Sequence, residues 1–289
     1  MKINQVKKSV CIFIVGIILI GWIGKIIDMI VANQNEGNSI GMLVWIVGPI
    51  VMVFAIKLAL KDCGKNLGLK LNLKSSLLMY LAAVVIFPVI FFAVFLIGKA
   101  SGLIITASVI VSNISDNKFI IMLAAFGFSF IIFFVKNIFE EIAWRGFLTE
   151  RLILMNVKDV VVYIVVTLVW ATWHIPYYLF FLKVDNPWQT ALTNYIVLFS
   201  WVMMFTEMYR ISRSIWPCVI LHAFANSIAL LCDYVTVQEG FEWILSYNCG
   251  LIQIIICIMA GLLLRRYRIK NDTIQNNEEI YGDTINELI

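Results

Sequence analysis

Apolar runs of roughly 17 to 24 residues, almost free of charge, follow one another along this chain, each long enough to cross a bilayer. A soluble core has no use for so many of them. Hydrophobic residues make up 62% of the sequence and the mean hydropathy is +0.93, well beyond the usual apolar share of a soluble domain. In hydrocarbon each backbone N–H and C=O must be satisfied within the protein, which a helix does by itself. The expected fold is therefore all-α, a polytopic membrane bundle of about eight helices.

The spans are expected at about 9–31, 40–56, 76–97, 119–151, 160–182, 188–205, 215–231 and 244–264. Lys2, Lys7 and Lys8 give the first span the basic flank of a signal peptide, but its apolar run is long and no small-residue cleavage site follows, so it reads as a retained span. The 99–118 linker reads as partly helical at the interface, and the polar residues from 271 onward as a mobile tail. Three divisions follow: N-terminal helices and linker at 1–118, a chemistry-bearing core at 119–270, and the tail at 271–289.

Charge sets the orientation. The N-terminus, the 57–74 connector with Lys61, Lys65 and Lys70, the Arg151–Lys158 turn, Arg210 with Arg213, and Arg265 through Lys270 all fall on one face. Loops of the opposite face carry Glu36, Asp116, Asp185, Asp233, Glu239 and Glu242 against Lys99, Lys118 and Lys183. Basic loops stay in the cytoplasm, so both termini are expected there. Topology thus accounts for the net charge of +4 without a nucleic-acid partner. The six cysteines are scattered without a CxxC pair and read as small apolar fillers.

Within the fourth span the sequence reads FEEIAWRGFL from Phe139 to Leu148. Charges at membrane depth are costly and usually face a protein interior. On a helix Glu141 and Arg145 share a face, acid before base, the favourable order for a pair. Glu140 points about 100° away and is expected to be the acid left free for chemistry. Lys136 lies one turn before Glu140, and if it faces inward it pairs with that acid.

The chain has two histidines, and both fall inside expected spans. His174 follows Trp170 by one turn, with Pro176 just beyond to break the local hydrogen-bond ladder. His222 precedes Asn226 by one turn, so the two can aim at one point. One reading is interhelical hydrogen bonding that holds the bundle together. The other is chemistry: a glutamate and a histidine activating water, with a histidine and an amide stabilising an oxyanion. No metal is expected, although two imidazoles and a carboxylate could also meet as a three-ligand zinc site. HExxH is absent, and no serine or cysteine has the setting of a nucleophile.

Glu140-Glu141-x3-Arg145-Gly146, Trp170-x3-His174 and His222-x3-Asn226 together resemble the three motifs of the CPBP family. That family comprises the type II CAAX prenyl proteases and their bacteriocin-processing and immunity relatives, the Abi proteins. The resemblance covers about residues 119 to 231. It implies an eight-helix intramembrane endopeptidase whose site opens toward the cytoplasm. Glu140 and His174 would activate water, His222 and Asn226 would hold the oxyanion, and Glu141 and Arg145 would brace the site. Trp170 stands where the second motif usually has Phe.

Two functions follow as expectations. The first is a cell-membrane protease acting on a peptide or membrane-protein substrate; Ile, Lys and Asn usage hints at a bacterial chain and hence at pheromone-like or bacteriocin-like peptides. The second is a non-enzymatic immunity or interaction protein. The full set of Glu140, Glu141, His174, His222 and Asn226 favours the enzyme.

Overall fold

A computed structural model describes residues 3–31, 39–60, 67–106, 118–182, 184–231 and 235–287. Eight principal helices form the bundle. They begin with α1 (Ile3–Ile30), α2 (Ile40–Ala59) and α3 (Leu73–Ala100). A short strand β1 (Ile104–Thr106) leads to α4 (Lys118–Glu141), which runs on through a π-helical segment (Ile142–Thr149) into α5 (Glu150–Leu154). Next, α6 (Asp159–Pro176) ends in a second π-helical segment (Tyr177–Phe181), followed by α7 (Pro187–Ser212) and α8 (Trp216–Ala229). The chain closes with strand β2 (Thr236–Val237), the short α9 (Glu242–Leu245) and α10 (Leu251–Glu287).

Among the described residues, six helical stretches are long and apolar enough to cross a membrane: 3–30, 40–59, 73–100, 120–154, 159–181 and 187–212. Two expected spans are shorter. The seventh is the 14-residue α8. The eighth was expected from Ile244, but the chain turns at 246–250, where the Ser246 hydroxyl accepts from the amides of Asn248 and Cys249 at 3.2 and 3.3 Å. The last helix therefore starts at Leu251 and meets Arg265 fourteen residues later. The short α8 is enclosed in part: it buries nine residues, among them His222. Burial against protein relieves a segment of the need to match lipid thickness.

Contacts between connections show that the helices alternate in direction. At one end Gln5 donates to the carbonyl of Leu60, Asn72 to that of Ser212, and Trp216 to that of Leu69. Asp159, Arg210, Arg265 and Arg268 meet at this same end. At the other end β1 pairs antiparallel with β2, and the Gly41 amide donates to Asp28. The basic residues gather at the first end, as the positive-inside rule requires of a cytoplasmic face.

Within the 99–118 linker, Lys99 and Ala100 end α3, a turn and β1 follow, and Lys118 opens α4; residues 107–117 lie outside the described residues. Beyond Asn271 the chain continues the last helix to Glu287. Arg268 and Asp272, one turn apart and 3.4 Å from each other, straddle that junction. Four cysteines, Cys11, Cys218, Cys249 and Cys257, are free thiols, as fillers would be; Cys63 and Cys232 lie outside the described residues.

Lipid-facing and protein-facing surfaces divide by helix. The outer part of α4 exposes Ile120, Ile121, Leu123, Phe128, Ile131 and Ile132, whereas every residue from Glu140 to Thr149 is buried. Burial at this depth selects small residues at contacts. A Cβ on Gly146 would come within 2.4 Å of the Leu67 carbonyl oxygen, which explains a glycine directly after Arg145.

Candidate active site

Helices α4, α6 and α8 each bring one expected motif to the interior. On α4, Glu140 is 1% exposed and its carboxylate receives three donors. Lys136 Nζ lies 2.5 Å from Oε1, while the indoles of Trp170 and Trp144 donate to Oε2 at 3.2 and 3.4 Å. Glu140 is therefore not the uncompensated acid that the one-turn argument expected. Lys136 faces inward and pairs with it. The spacing made this pair legible; the inward rotation of α4 did not follow from the sequence.

Trp170 has a role that phenylalanine could not fill. Its indole N–H binds Glu140, its ring flanks Arg145, and its backbone carbonyl takes a hydrogen bond from His174 Nδ1 at 2.9 Å. A carbonyl can only accept, so Nδ1 carries the proton and the neutral ring offers Nε2 as its lone pair. His174 sits in an aromatic setting, edge-on to Trp173 with ring centroids 4.7 Å apart and stacked on Tyr178 at 6.0 Å. Pro176 lacks the N–H that would continue the helix ladder, and the chain opens into the π-helical segment that follows.

Glu141 points to the other side. Its Oε1 receives Arg145 at 3.1 Å and His222 Nδ1 at 2.8 Å. Arg145 is fully buried, its guanidinium 4.5 Å from the ring centroids of both Trp170 and Phe205. Stacking of this kind suits arginine's planar, weakly hydrated cation. The division of labour between the acids thus holds for Glu141, which is braced by Arg145 as expected and is further engaged by His222. With Nδ1 held by the carboxylate, His222 presents Nε2 away from it. Trp170, Trp201 and Phe205 hold the ring edge-on at 5.4, 6.1 and 5.6 Å.

Asn226 lies one turn along α8 and donates from Nδ2 to Asn137 Oδ1 at 3.4 Å. Asn137 was missed by the sequence reading. It is fully buried one turn before Glu141, and its polarity within an apolar run was the available signal.

The site also draws on the N-terminal helices. Trp45 of α2 donates its indole N–H to the Trp173 carbonyl at 2.9 Å and stacks on Trp173 and Tyr177 at 4.1 and 4.6 Å. Phe13 of α1 packs on Trp144 and Phe147. All seven expected site residues, Glu140, Glu141, Arg145, Trp170, His174, His222 and Asn226, thus belong to one connected interior. Glu140 interacts electrostatically with both histidines. Among the described residues no three His, Cys, Asp or Glu side chains are grouped as metal ligands.

Residues 117–228, the stretch that holds all three motifs, match the family described as type II CAAX prenyl endopeptidase Rce1-like. Over that stretch the chain is similar to the CAAX-type proteases. Its limits fall within a few residues of the 119–231 stretch in which the motifs were recognised. No curated protein matches the chain. The apolar helices make this a multi-pass membrane protein, and its motif-bearing stretch is similar to an endopeptidase family.

Proposed function

We propose that the chain hydrolyses a peptide bond within the cytoplasmic half of the cell membrane, using Glu140 and His174 to activate water and His222 with Asn226 to stabilise the oxyanion. The observation that carries this reading is the orientation of the two imidazoles. Each has Nδ1 committed, to a carbonyl in His174 and to a carboxylate in His222, and each keeps Nε2 available.

In the proposed reaction water lies between the Glu140 carboxylate and His174 Nε2, and loses its proton as its oxygen attacks the scissile carbonyl. The tetrahedral oxyanion takes hydrogen bonds from His222 Nε2–H and the Asn226 amide. This role requires His222 to carry a proton on Nε2 as well as on Nδ1, which the Glu141 carboxylate accepts. Collapse of the intermediate returns the proton to the leaving amine. No step needs a metal. The substrate we propose is a peptide or a membrane-associated protein segment presented from the cytoplasmic side, pheromone-like or bacteriocin-like peptides being the natural candidates.

Purified protein in liposomes, offered quenched-fluorescent CAAX peptides in farnesylated and bare form, tests this. Glu140→Gln keeps the shape and should lower kcat by roughly 10²–10⁴. His222→Ala and Asn226→Ala should each cost about 10²–10³. EDTA should leave activity intact. Full turnover in Glu140→Gln would remove the base assignment, chelator-sensitive turnover restored by zinc would replace it with a metal centre, and no cleavage of these peptides or of pheromone-like and bacteriocin-like ones would favour the immunity reading.

A further inference from the structure

Helices α4 and α8 run antiparallel, and two side-chain contacts join them in one register. Glu141 of α4 meets His222 of α8, and one turn away Asn137 of α4 meets Asn226 of α8. On both helices the partners are four residues apart, so the contacts lie along one face of each, like two rungs. In both rungs α4 supplies the acceptor and α8 the donor. The Glu141 rung turns the imidazole so that Nε2 faces away from the carboxylate. The Asn137 rung does the corresponding thing to an amide.

An asparagine amide has a broad, nearly two-fold χ2, and a half-turn exchanges its oxygen for its nitrogen. Only the nitrogen edge can stabilise an oxyanion; the oxygen edge would repel it. An acceptor beside Asn226 selects the nitrogen edge, holding one N–H and leaving the other directed elsewhere. Asn137 is fully buried, and its own Nδ2 has no hydrogen-bond partner among the described residues. A buried amide with an unused donor costs stability. Isoleucine or phenylalanine would avoid that cost, and they are common in the rest of α4.

We infer that Asn137 is a positioning residue: its carbonyl oxygen fixes the Asn226 amide in the orientation that donates to the oxyanion. The inference rests on the role proposed above for Asn226. It adds a residue outside the three motifs to the machinery, one turn ahead of the paired glutamates.

A double-mutant cycle separates the two claims. With the liposome assay and CAAX peptides above, Asn137→Leu should lower kcat about tenfold or more per folded molecule with KM unchanged. In an Asn226→Ala background the same substitution should cost nothing further, because no amide is left to orient. Asn137→Asp, which keeps the acceptor oxygen, should retain turnover well above Asn137→Leu. Losses that multiply in the double mutant, or an Asp variant as poor as the Leu variant, would overturn the inference. If Asn226→Ala alone leaves kcat intact, it is the oxyanion reading that fails. Should neither peptide be cleaved, melting of the four cycle proteins in detergent still decides the contact: absence of coupling between positions 137 and 226 would overturn it.

Discussion

Two clusters of charge lie inside this bundle, and they are built differently. At the end where the basic residues gather, Asp159 receives Arg210, Arg265 and Arg268 at 2.6, 3.1 and 2.7 Å, and Glu207 receives Arg268 and the Tyr163 hydroxyl at 2.6 and 2.5 Å. Both oxygens of each acid are taken, and the groups come from α6, α7 and α10. In the candidate site the accounting is incomplete: Glu141 Oε2, Arg145 Nε and Nη2, and Asn137 Nδ2 are buried without a protein partner. A network with all valences met rigidifies a fold, and one with valences to spare is costly unless something else uses them. The first cluster is a clamp on three helices. The second has capacity left for a reacting molecule.

The largest test of this contrast is Arg145→Ala. It leaves Glu141 buried without its cation, so folded stability in detergent should fall by about 3–5 kcal/mol, with activity falling alongside. Unchanged melting with activity lost would make Arg145 a substrate-binding group instead. Arg268→Ala should cost about 2–3 kcal/mol through lost charge-assisted bonds, while kcat per folded molecule stays near that of the parent. A large drop in kcat there would end the distinction between clamp and site.

Gly146→Ala should come next, at about 1–3 kcal/mol, since the new methyl group meets the Leu67 carbonyl and the backbone must shift. Thermal melting measures it, and a neutral result would show that the α4 approach to residue 67 is loose. Smallest is Lys136→Met. Lys136 is 23% exposed in its side chain and Glu140 keeps two indole donors, so about 1 kcal/mol is expected. A loss as large as that of Arg145→Ala would place both one-turn pairs in the same class.

The residues that could be read from the sequence are those whose partners lie one turn away or whose chemistry is improbable in lipid. Glu141 with Arg145, the two histidines and Asn226 all qualified. What escaped needed the rotation of one helix against another. Whether Lys136 faced inward depended on how α4 packs on α8. The π-helical stretch after Glu141 abandons the 3.6-residue period, so face assignments made from that period stop being secure at Ile142. Glu207, near the end of α7, is fully buried and is held by Arg268 and Tyr163 from α10 and α6, contacts that no local spacing announces. The shortened last span reflects a turn at Ser246 that hydropathy alone does not register.

Trp45 bears on how this protein could be divided. The motifs and the family match fall within residues 117–228, which invites treating that stretch as a self-standing unit. Yet the carbonyl of Trp173, directly before His174, is capped by an indole from α2, and Gly21 of α1 lies against Pro176. Cut away from its first two helices, the motif-bearing part would lose the indole donor on that carbonyl and expose a bare aromatic wall to acyl chains beside its own histidine. The first sixty residues carry no motif, but they make up one side of the vessel in which the chemistry takes place, and two half-chains would have to find each other in the bilayer before either was of use.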